Sequence, residues 1–201
     1  MKNSDQKGFT LLELMVAVGL FTVAIFMIMV ILFAITNAQR KVVNIQNSQD
    51  NLRFAFEAMI KEIRTGREFH CGATGVLSLP QNCTFASSGD TSFTFLNSAG
   101  QRVTYRLYYN NNADAYQLVK SSNGTLPCDG DTGDVIDCQR ITATQVNVSR
   151  LRFYVDGTAG GDDKQSIATI VLEGDVPDAK VGTTKISLQA TVSKRGFVDQ
   201  P

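Results

Sequence analysis

The sequence predicts an α+β fold in which one long N-terminal helix packs on an antiparallel β-sheet. Residues 9–35 form an apolar run with a single ionisable side chain, Glu13. Helical spacing of apolar residues continues behind this run, and short alternating segments joined by turns follow it. Because no helical pattern separates those segments, they favour an antiparallel sheet. The sequence thus divides into residues 1–8, 9–35, 36–66 and 67–201.

The apolar run is long enough to cross a lipid bilayer. A helix rises about 1.5 Å per residue, so residues 9–35 would extend roughly 40 Å. The hydrocarbon core of a bilayer is about 30 Å thick, so the run can span it with some tilt. A secretory signal peptide is the main alternative, but the run exceeds the usual apolar core of such peptides and no small-residue cleavage site follows it.

The second half of the helix is amphipathic. Apolar residues recur there at intervals of 7, 4, 3 and 4 positions, which places them on one helical face: Ile45, Leu52, Phe56, Met59 and Ile63. No proline interrupts the chain before Pro80, and Gly66 is expected to end the helix. The sequence therefore predicts one helix from about Phe9 to about Thr65, with its second half packed on the sheet.

The remaining chain is predicted to be a loop followed by strands. The loop covers residues 69–90. The predicted strands are Ser92–Leu96, Arg102–Tyr109, Tyr116–Lys120, Val146–Val155, Ile167–Leu172 and Lys185–Val192. The turn at residues 110–114 joins two of them into a hairpin. In the fourth strand Val146, Val148, Leu151, Phe153 and Val155 are expected to face inward.

Glu13 is the anomalous residue of the apolar run. An ionised carboxylate in lipid costs at least a few kcal/mol, so an acid at this depth is a functional hypothesis by default. Cleavage between Gly8 and Phe9 would give Phe9 a charged amine one helical turn from Glu13. The same amine on a neighbouring chain could neutralise Glu13 between two subunits.

The segment Lys7-Gly8-Phe9-Thr10-Leu11-Leu12-Glu13-Leu14 resembles the prepilin signal of type IV pilins and type II secretion pseudopilins. The resemblance implies that residues 1–8 are a leader, removed after Gly8 by a membrane prepilin peptidase that also methylates the Phe9 amine. It implies that Glu13 guides the subunit into a filament with other pilins or pseudopilins, at an assembly platform in the inner membrane.

The resemblance also implies an orientation and a role. The positive charges that flank the apolar run are nearly balanced, with Lys2 and Lys7 before it and Arg40 and Lys41 after it. Charge alone therefore does not set the orientation. The resemblance and the cysteines predict a cytoplasmic N-terminus, one membrane pass and an extracytoplasmic C-terminal domain.

The strand spacing is similar to that of J-type pseudopilins and W-type minor pilins, over residues 102–119, 141–157 and 182–195. Many major pilins carry a proline deep in the apolar run, whereas this chain has only Gly19 there. The sequence thus predicts a structural minor pilin or pseudopilin that helps initiate or cap a type IV pilus or a type II secretion pseudopilus.

Four cysteines lie beyond the apolar run: Cys71, Cys83, Cys128 and Cys138. An even number in this position is typical of disulfides in an oxidising compartment. Of the three possible pairings we favour Cys71–Cys83 and Cys128–Cys138, since each closes a short loop. Free thiols, or zinc with His70, are the alternatives, although no C-x-x-C spacing supports zinc.

No cofactor is required by the sequence, but calcium is a possible ligand of one acidic loop. Within residues 128–138 the carboxylates are Asp129, Asp131, Asp134 and Asp137. Such carboxylates bind hard cations, and the intervening glycines allow a tight bend. The spacing departs from that of an EF-hand, and the alternative is a solvated acidic turn. Asp156, Asp162 and Asp163 form a weaker candidate.

A second candidate function is a binding module on the filament, for DNA or a surface. Strands 102–109 and 146–155, if adjacent in one sheet, would align Arg102, Arg106, Arg150 and Arg152 with tyrosines Tyr108 and Tyr154. Such a strip can hold single-stranded nucleic acid. The formal net charge of zero argues against DNA as a partner. No catalytic motif is present, and the single histidine has no readable Ser/His/Asp arrangement, so no enzyme is expected.

Overall fold

The computed structural model describes residues 8–111, 113–122, 138–159, 164–178 and 182–194. In these ranges the chain has one α-helix, α1 (Leu11–Arg64), and eight strands. The strands are β1 (Arg67–Cys71), β2 (Ser92–Leu96), β3 (Arg102–Asn110), β4 (Ala115–Ser122), β5 (Cys138–Arg140), β6 (Asn147–Asp156), β7 (Ile167–Asp178) and β8 (Gly182–Ser193). By internal contacts the chain forms two units, residues 1–44 and 45–201, and α1 contributes to both. The prediction of a long helix and antiparallel strands is confirmed.

The second half of α1 buries the predicted apolar face. Leu52, Met59 and Ile63 are completely buried, and Phe56 is 5% exposed. These positions recur every three or four residues, so they line one side of the helix. The helix ends before Gly66, whose amide donates to the Ile63 carbonyl. A Cβ at this glycine would lie 2.4 Å from the Phe95 ring, so the close approach of helix and sheet requires glycine there.

The strands form two sheets rather than the single sheet that the sequence predicted. The first sheet has the order β1-β2-β3-β4-β5, and the second has the order β6-β7-β8. All their pairings are antiparallel. The two sheets are separate because no strand of the first sheet forms a backbone ladder with β6. The Asn147 side-chain oxygen on β6 accepts the Tyr116 amide of β4 at 2.9 Å, and isolated bridges from Cys83 and Asp90 contact the free edge of β6.

The segment between β1 and β2 ties the two sheets together. On one side, Gln81 accepts from the Cys71 amide at 3.0 Å and donates to the Phe69 carbonyl at 3.3 Å. On the other side, Cys83 donates to the Val155 carbonyl at 2.9 Å. A disulfide joins Cys71 to Cys83, with their Cα atoms 5.7 Å apart. One covalent bond therefore fixes the point where both sheets meet this segment.

Strand β1 lies where the sequence predicted the start of a loop, and this prediction was wrong. The pairing of β1 with β2 changes register between Arg67 and His70, and Glu68 adopts a φ of 56°. A bulge of this kind breaks the two-residue alternation by which strands are found in a sequence. The short β5 was also missed, since three residues give too little alternation to detect.

The helix and both sheets share one core. The buried side chains that the first sheet contributes are Phe69, Phe93, Phe95, Val103, Tyr105 and Leu118. The second sheet contributes Val148, Leu151, Phe153, Val155, Ala168, Ile170 and Leu172, with Val146 just before β6. The prediction that the apolar side chains of the segment Val146–Val155, which forms β6, face inward is thus confirmed. A bulge between Asn147 and Arg150 explains why Val148 and Leu151, three positions apart, share a face.

Two contacts position the helix against the chain around β6 and β7. The Asn51 side-chain oxygen accepts the Ala143 amide at 2.8 Å. Opposite Leu52, β7 carries Gly174, where an added Cβ would lie 2.6 Å from a Leu52 methyl carbon. A buried leucine against a strand glycine allows the helix to approach this strand closely.

A polar cluster holds the helix to the first sheet. Glu62 on α1 accepts from the Lys120 ammonium on β4 at 2.7 Å, and it also accepts from the Tyr105 hydroxyl on β3. Tyr105 is 2% exposed. Burial, the hydrogen bond to Glu62 and the negative charge of Glu62 all raise the pKa of Tyr105 well above its usual range.

This raised pKa predicts a loss of stability at alkaline pH. The folded state keeps the Tyr105 proton above pH ~10, where a tyrosine in the unfolded chain releases it. The unfolded state then binds fewer protons, so the free energy of unfolding falls with pH, by at most about 1.4 kcal/mol per pH unit for this group. Urea unfolding at pH 9 and pH 11 measures the slope.

Tyr105→Phe is the control, because it keeps the ring and removes the ionisable hydroxyl. The difference between the parent and Tyr105→Phe isolates this group from other residues that titrate at high pH. An identical pH slope in both proteins would contradict the assignment.

Candidate functional site: the processing and assembly segment

The predicted cleavage junction lies immediately before the helix. Gly8, Phe9 and Thr10 are exposed and precede α1, which begins at Leu11. The Thr10 hydroxyl accepts the Glu13 amide at 3.3 Å, and the Thr10 carbonyl accepts the Leu14 amide at 3.2 Å. Thr10 is therefore the N-cap of α1, and its spacing to Glu13 is that of a capping box.

Glu13 occupies the first turn of α1 and is exposed. The N-terminal end of a helix carries partial positive charge, which favours a carboxylate at this position. Its neighbours are apolar and also exposed: Phe9 is 82% exposed and Leu12 is 74% exposed. The site thus combines a carboxylate with an apolar surface that must be covered from outside the chain.

The helix beyond this site is suited to lipid. Within the described ranges, α1 is the helix long and apolar enough to cross a membrane, and no residue of its apolar window is buried in the protein. Its hydroxyl groups are satisfied by the helix itself: Thr22 donates to the Gly19 carbonyl at 2.8 Å, and Thr36 donates to the Leu32 carbonyl at 2.8 Å. A polar group with an internal partner costs less free energy in lipid than an unpaired one.

The apolar helix and this segment fit a membrane-anchored, pilin-like protein. Residues 3–35 match the model of a known family, the prokaryotic N-terminal methylation motif, which is the type IV pilin signal. The matched segment covers the predicted cleavage junction, Glu13 and the apolar half of the helix. No curated protein and no solved structure matches the chain.

The motif supports a type IV pilin-like protein, since it implies processing by a prepilin peptidase and assembly with other pilins. Proteins with this signal are generally structural. The long helix on antiparallel sheets is consistent with the α+β pilin fold.

The four arginines of the predicted nucleic-acid strip do not share one sheet, so the premise that their strands are adjacent was wrong. Arg102 and Arg106 lie on β3, which pairs with β2 and β4, whereas Arg150 and Arg152 lie on β6. Arg102 donates to the carbonyls of Gly75 and Ala73, at 2.9 Å and 3.2 Å.

The other three arginines of the predicted strip, Arg106, Arg150 and Arg152, have different surroundings. Arg150 forms an ion pair with Glu173 at 3.0 Å. Arg106 is half-buried, and its buried Nε and Nη2 have no hydrogen-bond partner in the part of the chain that the structure describes. Arg152 is half-buried on the face of β6 that points away from the core. The four arginines lie on two different sheets, and Arg102 and Arg150 already have partners in the chain, so they form no continuous basic strip.

The calcium prediction for Asp129, Asp131, Asp134 and Asp137 lies outside the described residues, as does the Cys128–Cys138 pairing. Both stay predictions. Among the residues that the structure describes, no group of three or more His, Cys, Asp or Glu side chains is placed to hold a metal ion. His70 is 5% exposed beside the disulfide, and its ring packs on Gly75, where a Cβ would lie 2.4 Å from the ring.

Two interactions in the structure were not predicted from the sequence. The Thr10 N-cap was missed, although the T-x-x-E pattern before an apolar run is a known signature of a helix start. The Glu62–Lys120 ion pair was also missed. Its partners are 58 positions apart, and no local pattern links them.

Processing at Gly8 yields a direct prediction. The mature chain should begin at Phe9 with a methyl group on its amine, and Gly8→Val should retain residues 1–8. Nothing lies within 4 Å of a Cβ built on Gly8, so a larger side chain causes no clash within the protein. Any block to cleavage must then arise at the peptidase. Mass spectrometry of the N-terminal peptide measures both results.

Gly19→Ala is the matched control, because Gly19 also has no atom within 4 Å of an added Cβ. It should be cleaved as the parent is. Recovery of the parent chain from membranes with an intact Met1 leader would contradict the assignment of the junction.

Proposed function

We propose that this protein is a minor pilin or pseudopilin, a structural subunit that helps initiate or cap a type IV pilus or a type II secretion pseudopilus. The observation that carries the proposal is a carboxylate, Glu13, in the first turn of an exposed apolar helix directly behind a Gly8-Phe9 junction. A single-pass anchor alone has no need for either feature.

The mechanism follows from the cost of an unpaired charge. In lipid, Glu13 has low free energy only when it is protonated or paired with a cation. Cleavage after Gly8 creates a charged amine on Phe9, four residues before Glu13. Subunits that are offset along the helix axis can pair the amine of one chain with the carboxylate of the next. The pairing then favours addition of a subunit in one register over free diffusion in the bilayer.

The minor role is favoured by the shape of the helix. α1 is continuous from Leu11 to Arg64, and the apolar run has no proline at which helices of major pilins typically loosen. Gly19 is the one glycine of that run. A subunit with a helix of this kind suits an initiating or capping position, where few neighbours must be accommodated.

Glu13 variants test the pairing mechanism. Glu13→Leu should insert into the membrane at least as well as the parent chain, because it removes the burial cost of the carboxylate. Its co-purification with partner pilins should fall, by about tenfold if the pair contributes about 1.4 kcal/mol. The measurement is the amount of partner recovered from membranes, normalised to the abundance of the variant.

Glu13→Gln and Thr10→Ala separate charge from helix capping. Glutamine also serves at this position of a capping box, so a capping role would leave Glu13→Gln active and make Thr10→Ala defective. Charge pairing predicts the reverse: Glu13→Gln fails and Thr10→Ala assembles. Normal assembly of both Glu13 variants would contradict the pairing mechanism.

A further inference from the structure

Strand β8 is the last strand of the second sheet, and its outer edge is open. β8 pairs with β7 along its whole length, from Gly182 to Ser193, without a register shift. In the part of the chain that the structure describes, no strand or isolated bridge pairs with the other side of β8. A long, unpaired edge without a bulge is a template for another strand.

The other long edges are covered by the chain itself. The outer edge of β1 carries Gln81, and the free edge of β6 carries Cys83 and Asp90. The strand β5, at the far side of the first sheet, has only three residues. The protein therefore protects its other edges and leaves β8 without a proline or a bulge, two devices that commonly block edge pairing.

The free backbone groups of β8 can be assigned from its pairing. The Lys194 amide donates to the Ser166 carbonyl, so the even-numbered residues of β8 direct their amides and carbonyls towards β7. The odd-numbered residues then direct theirs to the open edge: Thr183, Lys185, Ser187, Gln189, Thr191 and Ser193. The side chains of these odd residues are all exposed.

The side chains on the inner face of β8 are apolar and only partly buried. Ile186, Leu188 and Ala190 pack against the core but remain half-exposed, unlike Ile170 and Leu172 on the neighbouring β7, which are completely buried. The core is therefore open along this edge. A strand added here would extend the sheet and cover these three side chains.

We propose that β8 pairs antiparallel with β8 of a second copy of this chain, about a two-fold axis at Leu188. This register pairs every residue from 183 to 193, so the free amides and carbonyls of both edges are satisfied. An interface of this isologous kind closes on itself as a dimer. The inference goes beyond the proposed function and does not depend on the processing of Gly8.

The register also matches the side chains. Leu188 meets Leu188 of the second copy, and Ile186 meets its Ala190, so the half-exposed apolar strip becomes continuous. Lys185, the one charged side chain of residues 183–193, lies opposite Thr191 rather than opposite its own copy. No like charges are therefore opposed, which would weaken an antiparallel pair.

Cysteine cross-linking in membranes tests the register. The two copies of residue 188 form a non-hydrogen-bonded pair, with Cα atoms about 4.5 Å apart. That separation is within the range of disulfides, about 4.4–6.8 Å. Leu188→Cys in the full chain should thus give a homodimer on oxidation. Thr191→Cys is the control, because its two copies would lie about 20 Å apart along the strands.

Charge variants on the exposed face of β8 test the same pairing through side chains that do not form the cross-link. Ser187 lies opposite Gln189 of the second copy, so Ser187→Lys with Gln189→Lys opposes like charges twice. Introduced with Leu188→Cys, this pair should lower the dimer yield at least about threefold. Ser187→Glu with Gln189→Lys opposes unlike charges and should keep the yield. Light scattering of the detergent-solubilised chain, with Leu188 intact, should show the same order of dimer fractions.

Three results would overturn the proposal. One is a monomeric parent chain in light scattering together with no Leu188→Cys dimer. Another is equal cross-linking of Thr191→Cys, which would indicate random proximity in the membrane. The third is a Leu188→Cys adduct with a different protein in place of the homodimer, which would assign the edge to another partner. Each can occur while cleavage at Gly8 and recruitment by Glu13 remain intact, so this failure is distinct from failure of the proposed function.

Discussion

The burial requirement of residues 9–35 governs this protein. Their side chains are exposed, as Phe21 at 65% and Phe33 at 68% illustrate. An exposed apolar surface of this size is not stable in water, since apolar area contributes about 25 cal/mol per Å² when it leaves water. Lipid or other subunits must therefore provide the missing surroundings. Glu13 places a carboxylate at the start of the same surface, and in lipid that group has low free energy only when it is protonated or paired with a cation.

The second half of α1 meets the same requirement inside its own chain. Leu52, Phe56, Met59 and Ile63 are buried against two sheets, and Glu62 pairs with Lys120 at the edge of that core. The Cys71–Cys83 disulfide fixes the segment that contacts both sheets. One helix thus serves two environments, and the change occurs where its sequence turns from uniformly apolar to amphipathic.

Local patterns were sufficient for the elements whose periodicity is regular. The helix, its buried face and six of the strands follow from spacing alone. The Cys71–Cys83 disulfide was predicted because the two cysteines are close in the sequence and their bond closes a short loop. The division into two sheets could not be predicted, because it depends on Cys83 and Asp90 occupying the edge of β6. The strand β1 was hidden by the bulge at Glu68, which shifts the alternation out of phase. At the candidate site, Gly8, Phe9 and Glu13 were visible as a motif, whereas the open edge of β8 exists only once the strand order is known.

The burial requirement implies that residues 9–35 are surrounded by lipid or by other subunits. A photoreactive diazirine analogue of phenylalanine in place of Phe21 can show which molecules surround this helix, in the full chain and in native membranes. After irradiation, we expect adducts with lipid acyl chains or with the apolar segments of other pilin-like subunits. Adducts with water alone would show that the helix is solvated and would contradict this burial.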